Sequence, residues 1–207
     1  MKKILSIILA SSFIACSAFA NGVIGVKVGV GDLSGERTKD PSHGVATSSS
    51  ASEDSEFAAA FAEFAVSDMV SLGIEVIPME AKIDTKGTTA ADSTATISDY
   101  TTIYALVPIM DSQVYGKIGY SRADLSVKAN YIQTTVQSSS DKLEGPMIGI
   151  GVQLDSPIGF LDVIRIEGTY TDFDKLSITT KDTNEAAITK EGEAELMTLS
   201  LSVGKSF

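Results

Sequence analysis

The chain has 207 residues, 43% of them hydrophobic, enough for one domain with a sizeable apolar surface. Its 27 acidic residues outnumber 16 basic ones, and a net charge of −11 argues against nucleic acid as a partner. Cys16 is the single cysteine, so disulfides, thiol nucleophiles and thiolate metal sites have no place downstream of it.

Residues 1–20 are a different material from the rest. A basic start, Lys2–Lys3, precedes the apolar run "ILSIILASSFIA", and "AFA" places small residues at both recognition positions before Asn21. This is the pattern of a secretory signal peptide, too short for a membrane anchor, cleaved between Ala20 and Asn21. Loss of Lys2 and Lys3 takes the net charge to −13. "FIAC", ending at Cys16, is a second reading, a lipidation site, with Phe13 where leucine is usual.

From residue 21 onward, apolar and small or polar residues alternate in eight stretches. "VIGVKVGVG" sets Ile24, Val26, Val28 and Val30 against Gly25, Lys27, Gly29 and Gly31. "EFAAAFAEFAV" sets Ala62, Phe64 and Val66 against Glu63. "VSLGIEVIP" sets Val70, Leu72, Ile74 and Val76 against Ser71, Gly73 and Glu75. "YTTIYALVPI" is apolar on both faces. "VYGKIGYSR" opposes Ile118 and Tyr120 to Lys117, Gly119 and Ser121. "PMIGIGVQL" opposes Ile148, Ile150 and Val152 to Gly149, Gly151 and Gln153. "DVIRIEGTY" opposes Ile164, Ile166 and Tyr170 to Arg165, Glu167 and Thr169. "AELMTLSLSVGKSF" opposes Met197, Leu199, Leu201 and Val203 to Thr198, Ser200, Ser202 and Gly204. Period two predicts eight β-strands, each with one apolar face.

The connections alternate in length. "SDM", "DS" and "DSPIG" are tight turns, whereas roughly 32–55, 82–98, 124–143 and 173–194 are long, polar and acidic. Every short turn falls at one end and every long connection at the other, as in an up-and-down antiparallel transmembrane β-barrel. A soluble barrel also alternates, so three further features decide between them. The polar faces are rich in Gly, Ser and Thr, which suit a narrow lumen better than a water-facing sheet. The few charges there have both signs: Lys27, Lys117 and Arg165 can meet Glu63, Glu75 and Glu167, as enclosed charges must. Two aromatic belts are expected, Phe64, Tyr115, Phe160 and Phe207 near the short turns and Phe57, Tyr100, Tyr120 and Tyr170 near the long connections. Pro78, Pro108 and Pro146 must sit at strand ends or bulges, because proline cannot donate to a ladder.

With "GVIGVKVGVG", "VYGKIGYS" and a closing strand ending in Phe207, residues 21–207 resemble the outer-membrane β-barrel family of OmpA-like and small porin-like proteins. The resemblance implies an eight-stranded barrel in the outer membrane of a Gram-negative bacterium, among outer-membrane lipid and lipopolysaccharide. It also implies that Leu199, Leu201, Val203 and Phe207 form the C-terminal signal read by the barrel assembly machinery. Lys205 departs from that pattern, since an aromatic is usual there. The peptidoglycan-binding module of full OmpA proteins is not expected.

Lys27, Glu63, Glu75, Lys117, Arg165 and Glu167 read either as a salt-bridged plug or as a gate whose pairs exchange partners. The expected role is structural or a surface interaction through acidic loops, with an unidentified extracellular ligand. A narrow channel and a lipid-modifying enzyme are the alternatives. The single histidine, His43, lies in the polar "DPSHGV" and pairs with no distinctive nucleophile; Ser48 is one of many nearby serines. No enzymatic activity, cofactor or metal is expected: "GVKVGVGDLSG" is a strand rather than a nucleotide loop, and "DTKGTTAAD" has too few carboxylates for calcium.

Overall fold

The computed structural model describes residues 21–39, 49–78, 80–86, 91–109, 112–131, 137–157, 159–181 and 187–207. These form nine strands: β1 (Gly22–Lys39), β2 (Ser49–Ser67), β3 (Val70–Ile77), β4 (Ala81–Lys86), β5 (Ala91–Pro108), β6 (Val114–Tyr131), β7 (Gln137–Asp155), β8 (Val163–Lys181) and β9 (Ala187–Ser206). Both β3 and β4 pair with β5, in the registers Glu75↔Thr102 and Ile83↔Ala95, so together they make one interrupted stave. The result is a closed eight-stranded antiparallel meander. β1 pairs with β2 on one side and β9 on the other, from Val23↔Ser206 upward, and no free edge remains at that level.

Closure explains why the chain finishes on a strand. Hydrocarbon offers no hydrogen bonds, so the last strand must find the first. The Phe207 N–H donates to the Gly22 carbonyl at 3.0 Å, and the Asn21 N–H donates to the Phe207 carbonyl at 2.7 Å. Asp162, in the turn before β8, clamps the same end. It accepts from the Ser206 hydroxyl at 2.6 Å, the Ser206 N–H at 2.7 Å and the Lys205 ammonium at 3.0 Å.

Alternation sorts the side chains as the sequence pattern requires. Ile103 (66%), Ile150 (60%) and Leu201 (47%) are exposed on the outer wall, while Lys27 and Lys117 are only 5% and 2% exposed on the lumen side. The long connections expected from sequence are mostly strand. β1 runs to Lys39 and β2 starts at Ser49, well inside 32–55, and the other three pairs continue likewise. Polar strands continue the ladder because water on both sides costs them nothing. Strands of 18–20 residues run about 60 Å, or about 45 Å of height when tilted, against an apolar band of about 25 Å.

Above that band the single barrel divides. The β2–β3 ladder ends at Ala60↔Val76, and the β7–β8 ladder ends at Met147↔Thr171. Beyond them β2-β1-β9-β8 and β4-β5-β6-β7 continue as two four-stranded panels. Between the panels packs an apolar cluster of Ala123, Leu125, Leu143 and Phe173 with Leu33, Ile97 and Leu196 around it. The prolines sit where the ladders change. Pro78 follows β3 directly, Pro108 is the last residue of β5, and Pro146 lies one residue beyond the last β7–β8 pair. A bulge at Asp99, with φ of 53°, breaks the parity of β5 so that both Ile97 and Tyr100 reach the interior.

Candidate functional site: the charged lumen

The site follows from strand parity. Lys27 on β1, Glu63 on β2, Glu75 on β3, Lys117 on β6 and Arg165 and Glu167 on β8 all fall on inward positions at one height, and all six are buried. Four of them close a ring. The Lys27 ammonium reaches Glu75 at 2.5 Å and Glu167 at 2.6 Å; the Lys117 ammonium reaches the same two carboxylates at 3.0 and 2.8 Å. Beside the ring, Arg165 donates to Glu63 at 2.6 Å and to the Gln153 amide oxygen at 2.8 Å. Three cations thus face three carboxylates, and the cluster is neutral.

Phenols complete it. The Tyr104 hydroxyl donates to Glu63 at 2.8 Å, and the Tyr115 hydroxyl donates to Glu167 at 3.0 Å. The Lys117 ammonium also lies 4.0 Å from the centre of the Tyr104 ring, a cation–π contact. Both rings need glycine across the ladder. A Cβ on Gly73 would stand 2.5 Å from Tyr104, and one on Gly151 would collide with Tyr115. Among the described residues no buried side-chain nitrogen or oxygen lacks a hydrogen-bond partner.

The lumen is filled at two further heights. Thr102 and Ser121 hydroxyls meet at 2.9 Å, and the Tyr100 hydroxyl donates to Ser121 at 3.0 Å and lies 3.3 Å from Thr171. Above them sits the apolar cluster between the panels. The lumen thus holds, in order, a charge-neutral hydrogen-bonded layer, a layer of hydroxyls and an apolar layer. Five staves are braced to one another by the charged layer alone. Among the described residues no group of three or more His, Cys, Asp or Glu side chains is placed to hold a metal ion.

The other sequence-derived positions divide. Leu199 and Leu201 are exposed on the outer wall, Val203 is half-buried on the same face, and Phe207 is exposed at the short-turn end. Lys205, where an aromatic was expected, is engaged with Asp162. His43, Ser48, Cys16 and Ala20 lie outside the described residues. The aromatic belts need correction. Phe64, Phe160 and Phe207 face out near the short turns, and Tyr120 does so near the long hairpins. Tyr115 and Tyr100 instead point inward, and the Phe57 ring lies over the lumen-facing Gly29. For Tyr115 and Phe57 the parity shared with Lys117 and Glu63 carried the signal. Tyr100 shares the parity of the lumen-facing Thr102 and Tyr104, but its strand is apolar on both faces, so neither parity stood out. Tyr104, not singled out from the sequence, belongs to the site; its strand was the one with apolar residues on both faces.

A closed meander with an apolar outer wall and an enclosed, charge-neutral centre defines an outer-membrane-type β-barrel. No protein-family model matches the chain, and no curated protein matches its sequence. Solved structures do. The outer membrane protein AlkL is similar over 91% of this chain and 92% of its own, with a TM-score of 0.56 and 13% identity. OprG of Pseudomonas aeruginosa covers 91% and 97% at 0.53 with 9% identity. The outer membrane protease OmpT of Escherichia coli covers 90% and 97% at 0.53 with 8% identity. At such identities the likeness is one of fold: this chain is an eight-stranded barrel of the outer-membrane kind.

Proposed function

We propose that the protein is an integral outer-membrane barrel of a Gram-negative bacterium, processed after Ala20, with its termini in the periplasm and its long hairpins outside. Its role is structural, together with surface interaction through the acidic hairpins, and its lumen is a plug rather than a pore. The single observation behind this reading is the Lys27–Glu75–Lys117–Glu167 ring, whose four contacts of 2.5–3.0 Å leave no charge unbalanced to attract a permeating ion. Outer-membrane lipid and lipopolysaccharide surround the apolar band. Leu199, Leu201, Val203 and Phe207 remain the segment offered to the barrel assembly machinery. Above the band, outward carboxylates dominate: Asp32, Asp54, Glu56, Asp124, Asp172 and Glu195 are all exposed. Such a surface favours cationic partners.

Two measurements test the reading together. Purified barrel in planar bilayers is expected to give no stable open channel, whereas large, long-lived conductance steps would overturn the plug. Protease added to whole cells is expected to cut the long hairpins and spare the membrane-embedded staves. Resistance of the hairpins until the outer membrane is breached would overturn the orientation.

A further inference from the structure

Among the described residues, the division into two panels leaves a strand edge without a ladder partner. Over Ser52–Phe57, β2 pairs with β1 alone, through Glu53↔Leu33, Asp54↔Asp32 and Glu56↔Val30. Its other neighbour at this height should be β4, but among the described residues β4 pairs with β5 only, and the β2–β3 ladder has already ended at Ala60. Alternate backbone N–H and C=O groups of this stretch therefore point sideways out of the sheet. A strand edge of that kind is a template for another extended chain.

The side chains say which chain. Glu53, Asp54 and Glu56 are all exposed, and Asp32 stands directly across the ladder from Asp54. A second copy pairing edge to edge would set these carboxylates against one another, and like charges directly opposite destabilise a ladder. The outer face beside the edge holds a cavity of about 620 Å³, with Asp32, Asp54 and Glu56 above an apolar floor of Val30, Met197 and Leu199. The carboxylates of Asp54 and Glu56, on the edge strand itself, suit a lysine or arginine as the outward-facing residue of an added strand. From a strand added beside β2, Asp54 and Glu56 are one strand spacing away, about 4.8 Å, and within reach, whereas Val30 on β1 and Met197 and Leu199 on β9 lie two and three spacings away. Of the inward positions of the same stretch, Ser55 and Phe57 are half-buried and call for a small or apolar residue, while Glu53, opposite Leu33, is exposed.

We infer that the open edge of β2 at Ser52–Phe57 docks an extended basic peptide segment of a partner protein. The segment pairs as an added strand and alternates basic residues, facing outward, with apolar ones. This rests on the reading that the long hairpins form the outer surface, and it names the chemistry of what they bind.

The test uses the folded full-length barrel in lipid nanodiscs and a fluorescein-labelled peptide, Lys-Val-Lys-Thr-Lys-Val-Lys, followed by anisotropy. A second peptide of the same sequence is N-methylated at every interior backbone nitrogen; its charge is unchanged but it cannot donate to a ladder. The expected result is binding of the first peptide, at least tenfold weaker binding of the methylated one, and a similar loss in the Asp54→Lys/Glu56→Lys variant. Both substituted positions lie on exposed strand, and a wild-type shift between heated and unheated samples on a denaturing gel verifies that the variant is folded. Equal binding of the two peptides would overturn strand addition while leaving surface interaction through charge intact. Binding of neither peptide would overturn the docking site, and protease accessibility on whole cells then decides separately whether the hairpins are outside. Concentration-dependent self-association of the barrel through β2 would overturn it in favour of a second copy.

Discussion

Glu167→Gln removes one negative charge from the enclosed ring and changes its shape very little. Glu167 supplies two of the four lysine–glutamate contacts, at 2.6 and 2.8 Å, and accepts from Tyr115 at 3.0 Å. With glutamine there, Lys27 and Lys117 share Glu75 alone, and the neutral layer gains one uncompensated positive charge. Removing one partner of a buried pair costs about 3–5 kcal/mol, because the remaining ion stays desolvated without its partner. Lys117→Met leaves the opposite imbalance and a loss of similar size. The double variant restores neutrality through the Lys27–Glu75 pair and replaces the other by uncharged groups of similar volume, which costs about 1 kcal/mol or less. The assay is reversible urea unfolding in lipid vesicles, followed by far-ultraviolet circular dichroism since the chain contains no tryptophan. The double variant is predicted to be more stable than either single one. Single variants that lose less than about 1 kcal/mol, or a double variant that loses their sum, would refute the buried, coupled ring.

Gly73→Val drives a branched side chain into the Tyr104 ring, and overpacking of this kind should cost about 1–3 kcal/mol in the same unfolding assay, whereas Gly159→Val, with open space around it, should cost almost nothing. Ile150→Lys places a cation on the outer wall at the hydrocarbon level and should destabilise the barrel by about 2–4 kcal/mol in vesicles. Asp162 carries the pH dependence of closure. Hydrogen bonds from the Ser206 side chain and backbone and from Lys205 lower its carboxyl from an ordinary 3.8 to about 2. The unfolded chain therefore takes up the proton first, so the clamp's contribution is complete above pH 4 and fades as the pH falls toward 2. Asp162→Asn should flatten the wild-type stability profile in that window, and an unchanged slope would show that the clamp does not form.

Most of the barrel was legible because its physics is periodic. Alternation in "VIGVKVGVG" or "VYGKIGYSR" is a direct imprint of a wall with an apolar outer face and packed polar groups inside. The same parity puts Lys27, Lys117, Arg165 and their carboxylate partners on one side of the wall. Height was not legible from parity, and their meeting at one level depends on the stagger between staves. Where periodicity fails, so does the reading. The hairpins at β1–β2 and β8–β9 are polar on both faces, so nothing in their pattern separates strand from loop, and they looked like loops. The Asp99 bulge inserts one residue and reverses the meaning of every position beyond it, which is why Ile97 reaches the interior although Thr102 and Tyr104, of opposite parity, also do. The division into two panels arises from where two ladders stop, at Ala60 and Met147, and Pro78 and Pro146 mark those points without announcing their consequence.

Every role assigned to this molecule depends on which face of the wall meets lipid. The absence of tryptophan makes that directly measurable. Single tryptophans at Ile150 and Leu201, on the outer wall, and at Tyr115, in the lumen, can be compared in vesicles of ordinary and brominated lipid. Strong quenching by brominated chains at 150 and 201 with none at 115 is the predicted result. Quenching at 115 with protected emission at 150 and 201 would contradict the account at its root.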